Sequence, residues 1–357
     1  MKLLMIIDNM DLGGAQRMFA FVANGLSRYY DVYLISYASN KSFFHLNDEV
    51  HYIAGSDYNG SGLLRHIKKI PFLYKKIKKI GPDVILTFMT IPALLSKIAS
   101  VFSGIPVIFC ERGDPYQYKT FIQKIKLKSV IICNYAVFQT IQARDYYPQR
   151  LIKNSTIIPN PVVNPNVERA MYENRNNNIA FVGRFDIHQK RQDLVVDAFK
   201  LVVEKHPEMI LLFCGDGDDL EIIKKKVETM NISDNVVFKG KVKDVKIELL
   251  NCKAYVISSD YEGIPNSLIE AMSLGIPCVS TDCSPGGARM LIKNMENGIL
   301  VPCNNSKALA NAIIYIIEHP IEADEMGKNA MKIVDLYSEN LIMQKWMSVI
   351  NHCCSNH

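Results

Sequence analysis

The chain has 357 residues, 48% of them hydrophobic and 22% charged, which exceeds one ordinary domain and supplies two cores. No run reaches the ~18 apolar residues of a membrane span. Its nine cysteines are odd in number, contain no CxxC pair and sit mostly in apolar runs, so they read as buried free thiols in a reducing compartment. The formal net charge of +5 divides unevenly: residues 1–160 carry 20 Lys/Arg against 10 Asp/Glu, and residues 161–357 carry 21 against 26. The first half is expected to face something anionic.

The opening MKLLMIID has about six apolar residues after Lys2, too few for a signal peptide, and is expected to be a first buried strand. The expectation is a soluble cytoplasmic protein. Further strands are expected at 31–36, 83–88, 106–110, 130–133 and 155–158, with helices at 14–28 and 62–80. A break follows at IIPNPVVNPN (157–166), with three prolines and three asparagines. The polar ENRNNN comes next. Strands are then expected at 178–182, 209–214, 235–239, 254–257, 277–280 and 298–301, with helices at 190–205, 243–251 and 266–274. SENLIMQKWMSVINHCC closes the chain as an amphipathic helix. Strands alternating with helices imply parallel sheets in right-handed crossover units. Two sets of about six imply two doubly wound domains.

Three stretches carry candidate chemistry. In FVGRFDIHQKRQDLVVDAF a strand runs through Gly183 and Arg184 to Lys190 at a helix start. A planar fork and a point charge six residues apart, with helix N–H groups beside them, suit one diphosphate. The same residues also fit a solvated loop. FCGDGDDL lacks the third glycine of a dinucleotide fingerprint. Its Asp216 and Asp218 form a DxD, expected here to cap helix N–H groups rather than to hold a metal. YEGIPNSLIEAMSLGIPCVS places Glu262 and Glu270 eight apart. A continuous helix would set them ~12 Å apart and ~80° out of register. Pro265 instead suits a first turn, so Glu262 and Gly263 fall in the loop, with Asn266 or a neighbour as cap and Glu270 about one turn in. Both acids are then able to flank one helix N-terminus, where Gly263 admits a ligand to the backbone. A nucleotide sugar fits this layout. An exposed Glu262 and a Glu270 paired with a neighbouring cation fit the spacing equally.

EGIPNSLIE resembles the E-x7-E motif of retaining GT-B glycosyltransferases, and the stretch is similar to glycosyltransferase family four, of the bacterial polysaccharide type. NMDLGGAQR, IPNPV, GRFDIHQK, GDG (215–217) and STDCSPGGARMLI…NGILVP extend the resemblance over nearly the whole chain. It implies an α/β GT-B fold of two doubly wound Rossmann-like domains facing across a cleft. These would be an acceptor-binding domain at 1–160, a nucleotide-sugar-binding domain at 161–338, and a helix at 339–357 packing back on the first. It implies that Arg184 and Lys190 neutralise the donor diphosphate in place of a metal. Glu262 would hold donor-sugar hydroxyls and Glu270 the ribose. Gly183, Gly215, Gly263, Ile264, Asn266, Ser267 and Leu268 would line the donor site, with Gly240 and Val242 by the base. Gly13 and Gly14 would approach donor phosphate and acceptor, with Arg17 and Arg112 on the acceptor side. The loop CERGDP (110–115) lacks the histidine that some members place there, which leaves Arg112 or Asp114 as candidates. PGGAR stands where polysaccharide relatives often read GPRE; Arg289 remains a candidate to reach the site.

The basic first half contains LLRHIKKIPFLYKKIKKIGPD (63–83), with Arg65, Lys68, Lys69, Lys75, Lys76, Lys78 and Lys79 among apolar residues, and Pro71 dividing or bending it. YKTFIQKIKLKS adds Lys119, Lys124, Lys126 and Lys128. Each cation near an anionic membrane contributes ~1 kcal/mol; solvated helix faces are the other reading. No nucleic-acid motif accompanies the charge. The resulting expectation is a retaining hexosyltransferase needing no metal and no cofactor. It would move a hexose or N-acetylhexosamine from a UDP-sugar to a polyprenyl-diphosphate-linked saccharide for lipopolysaccharide or capsule. It would act at the inner face of the cell membrane. The alternatives are a GDP-mannose-dependent mannosyltransferase, another GT-B enzyme such as an epimerase or phosphorylase, and a non-catalytic glycan-binding subunit.

Overall fold

The computed structural model describes residues 1–55 and 67–355, apart from the side chains of Ile122 and Lys126. Arg65, the Lys126 side chain and the start of the expected 62–80 helix therefore lie outside the described residues. The chain forms two compact units, Met1–Asn160 with Asn340–His357, and Pro161–Glu339.

The first unit holds a parallel sheet of β1 (Lys2–Ile7), β2 (Asp31–Ser36), β3 (Val50–Ala54), β4 (Val84–Phe88), β5 (Val107–Cys110), β6 (Tyr135–Phe138) and β7 (Ser155–Ile157), in the order β3-β2-β1-β4-β5-β6-β7. β1 and β4 are continuous apolar runs because helices cover both faces of a central parallel strand. Two strands were not expected, β3 and β6. The expected strand 130–133 is instead a 3-10 turn, Val130–Ile132, prolonging the helix Phe121–Ser129. Its β-branched run reads as a strand, but the helix ahead of it carries Val130 into the core, and pairing begins only at Tyr135. The basic segment is divided as expected: Ile67 is helical, Lys68 and Lys69 form a turn, and Pro71 opens the helix Ile70–Ile80 at its first turn, where its missing N–H costs nothing. That helix buries Leu73, Ile77 and Ile80 and exposes Lys75, Lys78 and Lys79, whereas Lys69 is buried.

The C-terminal helix, Glu339–Ser355, belongs to this unit along nearly its whole length. Trp346 is fully buried, 6.3 Å from the Phe88 ring. A Cβ at Gly25 would meet Met343 Sδ at 2.4 Å, so the absence of a side chain at 25 lets this helix seat.

The second unit holds β8 (Asn176–Val182), β9 (Ile210–Cys214), β10 (Val236–Gly240), β11 (Cys252–Ile257), β12 (Cys278–Thr281) and β13 (Ile299–Val301), all parallel, ordered β10-β9-β8-β11-β12-β13. Side chains alternate between two cores. Ile179, Phe181, Ala254 and Val256 face one, while Ala180, Tyr255 and Ile257 face the other. In each sheet the winding reverses between two central strands, β1 and β4 or β8 and β11. Doubly wound sheets bind ligands outside the carboxyl ends of such strands.

Candidate active site

Gly183 and Arg184 leave the carboxyl end of β8, and residues 258–262 leave that of β11. The reversal of strand order therefore brings these two loops together. The first loop is built on backbone-to-backbone contact. Gly215, at φ +148°, packs so closely that a Cβ there would sit 1.9 Å from the Gly183 carbonyl oxygen. Gly217 does the same to the Phe185 carbonyl, at 2.4 Å. The Gly-Asp-Gly turn is thus a floor beneath the Arg184 loop. Gly215 is also tied to Gly240, its N–H donating to the Gly240 carbonyl at 2.8 Å.

Around this floor the loop 184–191 is held by side chains that the sequence did not single out. The fully buried Gln192 donates to the Arg184 carbonyl at 2.7 Å and accepts from the Asp186 N–H. The Asp186 carboxylate accepts from the N–H groups of His188 and Gln189, and Asp219 accepts from Ile187 N–H at 2.8 Å. The expected capping role of Asp216 and Asp218 is corrected here. Asp219 occupies the cap position of Leu220–Thr229, yet its carboxylate reaches across to the Ile187 loop. Asp216 accepts from its neighbour Gly217 and pairs with Lys241 at 3.3 Å; these donors hold its carboxyl below the usual range. Among the described residues no three His, Cys, Asp or Glu side chains group to hold a metal ion.

Lys190 and Glu262 meet. The Lys190 stem passes over Gly183, and its ammonium donates to Glu262 Oε1. Both side chains are mostly buried, 18% and 11% exposed. Ser259 Oγ donates to the same oxygen at 2.9 Å. Ser258 Oγ bridges the carbonyls of Lys190 and Arg191, at 2.7 and 2.8 Å, and Asp260 N–H donates to Gln189 O. Arg191, in the left-handed region at φ 53°, ties the two loops again through Asp260 and also donates to Asp193 and Asn304. The Arg184 guanidinium is 67% exposed and donates to Asp186 at 2.7 Å.

The helix after Glu262 runs Asn266–Ser273, and the residue at its cap position, Pro265, makes no side-chain cap hydrogen bond. Asn266 is the first helical residue. Leu268 is fully buried, and Ser267 accepts from the buried Tyr255 hydroxyl at 2.7 Å. Glu270 is half-buried in the second turn, and Ile264 is buried. The loop itself is pinned by Glu262 N–H donating to Ser284 O at 2.8 Å. It is also pinned by Gly287, where a Cβ would lie 1.7 Å from the Gly263 carbonyl oxygen. The second glycine of PGGAR is therefore a packing requirement of the Glu262–Gly263 turn. Arg289 forks onto Asp282 through three hydrogen bonds of 2.7 to 3.1 Å. Val242 is half-buried beside Lys241.

In the first unit, Gly13 caps and Gly14 opens the helix Gly14–Leu26, with Arg17 exposed on its first turns. Arg112 lies two residues past the end of β5. Its guanidinium lies 4.0 Å from the Phe88 ring centroid and 5.6 Å from that of Trp346, and burial lowers its pKa to about 10. Glu111, which the sequence reading passed over, is 1% exposed; burial raises its pKa against the pull of Tyr147 and the Arg112 and Gly113 N–H groups. Asp114 is buried and caps the turn at Pro115 by accepting from Tyr116 N–H.

The family model described as "Glycosyl transferases group 1" matches residues 168–333. A Campylobacter jejuni protein is 25% identical, across 98% of this chain and 98% of its own. It is named GalNAc-alpha-(1->4)-GalNAc-alpha-(1->3)-diNAcBac-PP-undecaprenol alpha-1,4-N-acetyl-D-galactosaminyltransferase. An Escherichia coli UDP-Gal:alpha-D-GlcNAc-diphosphoundecaprenol alpha-1,3-galactosyltransferase is 25% identical, covering 91% and 90%. Among solved structures, the lipopolysaccharide outer core galactosyltransferase WaaB, apo form, superposes with a TM-score of 0.80 at 19% identity, covering 99% of both chains. Anabaena Alr3699/HepE in complex with UDP and glucose gives 0.79 at 16%, covering 99% and 100%. The fold is GT-B, and the family match and the relatives' names support a glycosyltransferase.

Proposed function

We propose that this chain is a retaining, metal-independent glycosyltransferase. It transfers a hexose or N-acetylhexosamine from a UDP-sugar to a lipid-diphosphate-linked saccharide in surface polysaccharide synthesis. The observation that carries the reading is the pairing of Lys190 with Glu262 beside a helix N-terminus whose cap residue, Pro265, makes no side-chain cap hydrogen bond. Lys190, Arg184 and those N–H groups are suited to a donor diphosphate, and Glu262 to the hydroxyls of the sugar it carries. Glu270, one turn on, is assigned to the ribose. Gly183, Gly215, Gly240, Val242, Gly263, Ile264, Asn266, Ser267 and Leu268 are assigned to the donor, and Gly13, Gly14, Arg17 and Arg112 to the acceptor side.

The chemistry follows from the charges. The bond between the anomeric carbon and the β-phosphate oxygen breaks, and its electron pair goes to the diphosphate. Fixed cations aimed at that oxygen lower the barrier without reorganising. The acceptor hydroxyl oxygen bonds to the anomeric carbon on the same face, and its proton passes to the leaving phosphate. No side-chain nucleophile is needed. The exposed lysines of Ile70–Ile80 and Phe121–Ser129 support an encounter with an anionic membrane carrying the acceptor, at the cytoplasmic face.

Thermal unfolding with UDP, GDP or ADP, each with and without EDTA, tests the donor. Nucleotide at ~100 times its dissociation constant adds ~2.7 kcal/mol. A shift with UDP alone that survives EDTA is expected. A shift with GDP alone moves the donor to GDP-mannose. No shift with any nucleotide favours a non-catalytic glycan-binding subunit.

A further inference from the structure

We propose that Arg112 is the receptor for the phosphate groups of the acceptor, held in aim by the buried Glu111–Tyr147 pair. The inference rests on the acceptor being diphosphate-linked, as proposed above. Arg112 stands at the carboxyl end of β5, where doubly wound sheets take ligands. Its guanidinium is stacked against Phe88 and Trp346, which remove water from its faces. Its polar edge meets only neutral acceptors. Nη1 donates to Asn160 Oδ1 at a long 3.4 Å and, with the Gln139 amide in its hydrogen-bonding orientation, to Gln139 Oε1 at 3.2 Å; Nε is buried with no partner.

Both acids of the same loop are occupied elsewhere. Glu111 Oε1 accepts from the N–H groups of Arg112 at 2.9 Å and Gly113 at 3.0 Å, and Oε2 accepts from the Tyr147 hydroxyl. Asp114 accepts from Tyr116 N–H and the Gln117 amide. Among the described residues no carboxylate pairs with Arg112. A desolvated cation without a counter-charge is costly, and a fold that keeps one beside a ligand-binding edge leaves room for an anion to supply it. Arginine suits phosphate because its planar fork matches the oxygens. Glu111 touches no ligand in this scheme. It fixes the backbone of residues 111–113, and Tyr147 fixes Glu111, so both are positioning residues.

The test is titration calorimetry of geranyl diphosphate into the full chain at saturating UDP, which keeps the donor site occupied. Binding to the unaltered protein is expected. Arg112→Lys, which keeps the charge and loses the fork, is expected to weaken it by at least about tenfold. Tyr147→Phe is expected to weaken it by about threefold or more, with UDP affinity unchanged in both variants. A general loss of structure would lower both affinities, so the unchanged UDP affinity isolates the positioning role. Should Arg112→Lys not fold, Arg112→Met and Tyr147→Phe carry the same comparison. Protein that binds UDP but not geranyl diphosphate, or binds it equally after the Arg112 and Tyr147 changes, overturns the inference and leaves the donor reading standing. Arg112-dependent binding of geranyl diphosphate without UDP binding overturns the donor reading alone. Binding of neither overturns both.

Discussion

The Lys190 ammonium and the Glu262 carboxylate, 72 residues apart in sequence, hold each other at the carboxyl ends of β8 and β11. Ser259 shares the same carboxylate oxygen. The pair is mostly buried, so each charge depends on the other for its solvation. On the proposed reading, donor diphosphate competes with Glu262 for Lys190.

Lys190→Ala is expected to lower kcat/KM by at least about a hundredfold, as removal of one preorganised donor does. Glu262→Gln is expected to lower kcat while tightening nucleotide diphosphate binding, because Lys190 is released from its partner. The double variant is expected to be non-additive by about 0.5–3 kcal/mol. Initial rates and nucleotide titrations of the three proteins check this. Additive losses would mean that the two groups act independently.

Gly287→Ala is expected to disable turnover although residue 287 bears no functional group. Its Cβ would meet the Gly263 carbonyl oxygen at 1.7 Å, so the turn carrying Glu262 must move. The stability loss is expected at about 1–3 kcal/mol, typical of overpacking. Chemical denaturation alongside kcat/KM checks both parts.

Arg175 is buried and donates to four carbonyls, those of Leu250, Cys252, Leu274 and Gly275. The last two close the helix that bears Glu270. Arg175→Met is expected to cost more than about 3 kcal/mol, since it leaves several buried acceptors unpaired. Arg175→Lys is expected to recover only part of it, lacking the planar fork. Urea midpoints for the three proteins decide it.

Asp324 accepts from both arms of Arg169, at 2.7 and 3.0 Å, and from Tyr172 N–H. Arg169 first, then the backbone N–H and Lys328, hold its carboxyl well below the usual carboxylate range against the opposing effect of burial. A depressed folded-state pKa gives stability that is fully present above the unfolded value, ~3.9, and is lost as pH falls toward the folded one. Asp324→Asn is therefore expected to be less stable than the unaltered protein at pH 7, with the gap narrowing below about pH 4. A gap that stays constant down to pH 2 would falsify this assignment.

The sequence by itself determined the strand-helix alternation, the two sheets and the break near residue 160, because buried parallel strands are continuous apolar runs that local composition betrays. It also singled out Arg184, Lys190, Glu262 and Glu270 as candidates, of which Lys190 and Glu262 are in contact. It misplaced a strand at 130–133, since a β-branched run reads alike in a strand and in a turn ending a helix. Only the tertiary structure decided that Lys190 and Glu262 pair with each other, and that Gly215 and Gly287 are packing floors. The same holds for Gln192 and Ser258 bracing the loops and for Glu111 beneath Arg112. Those facts depend on which strands become neighbours within each sheet. That is set by the burial of the whole sheet against its helices, and no short stretch of sequence encodes it.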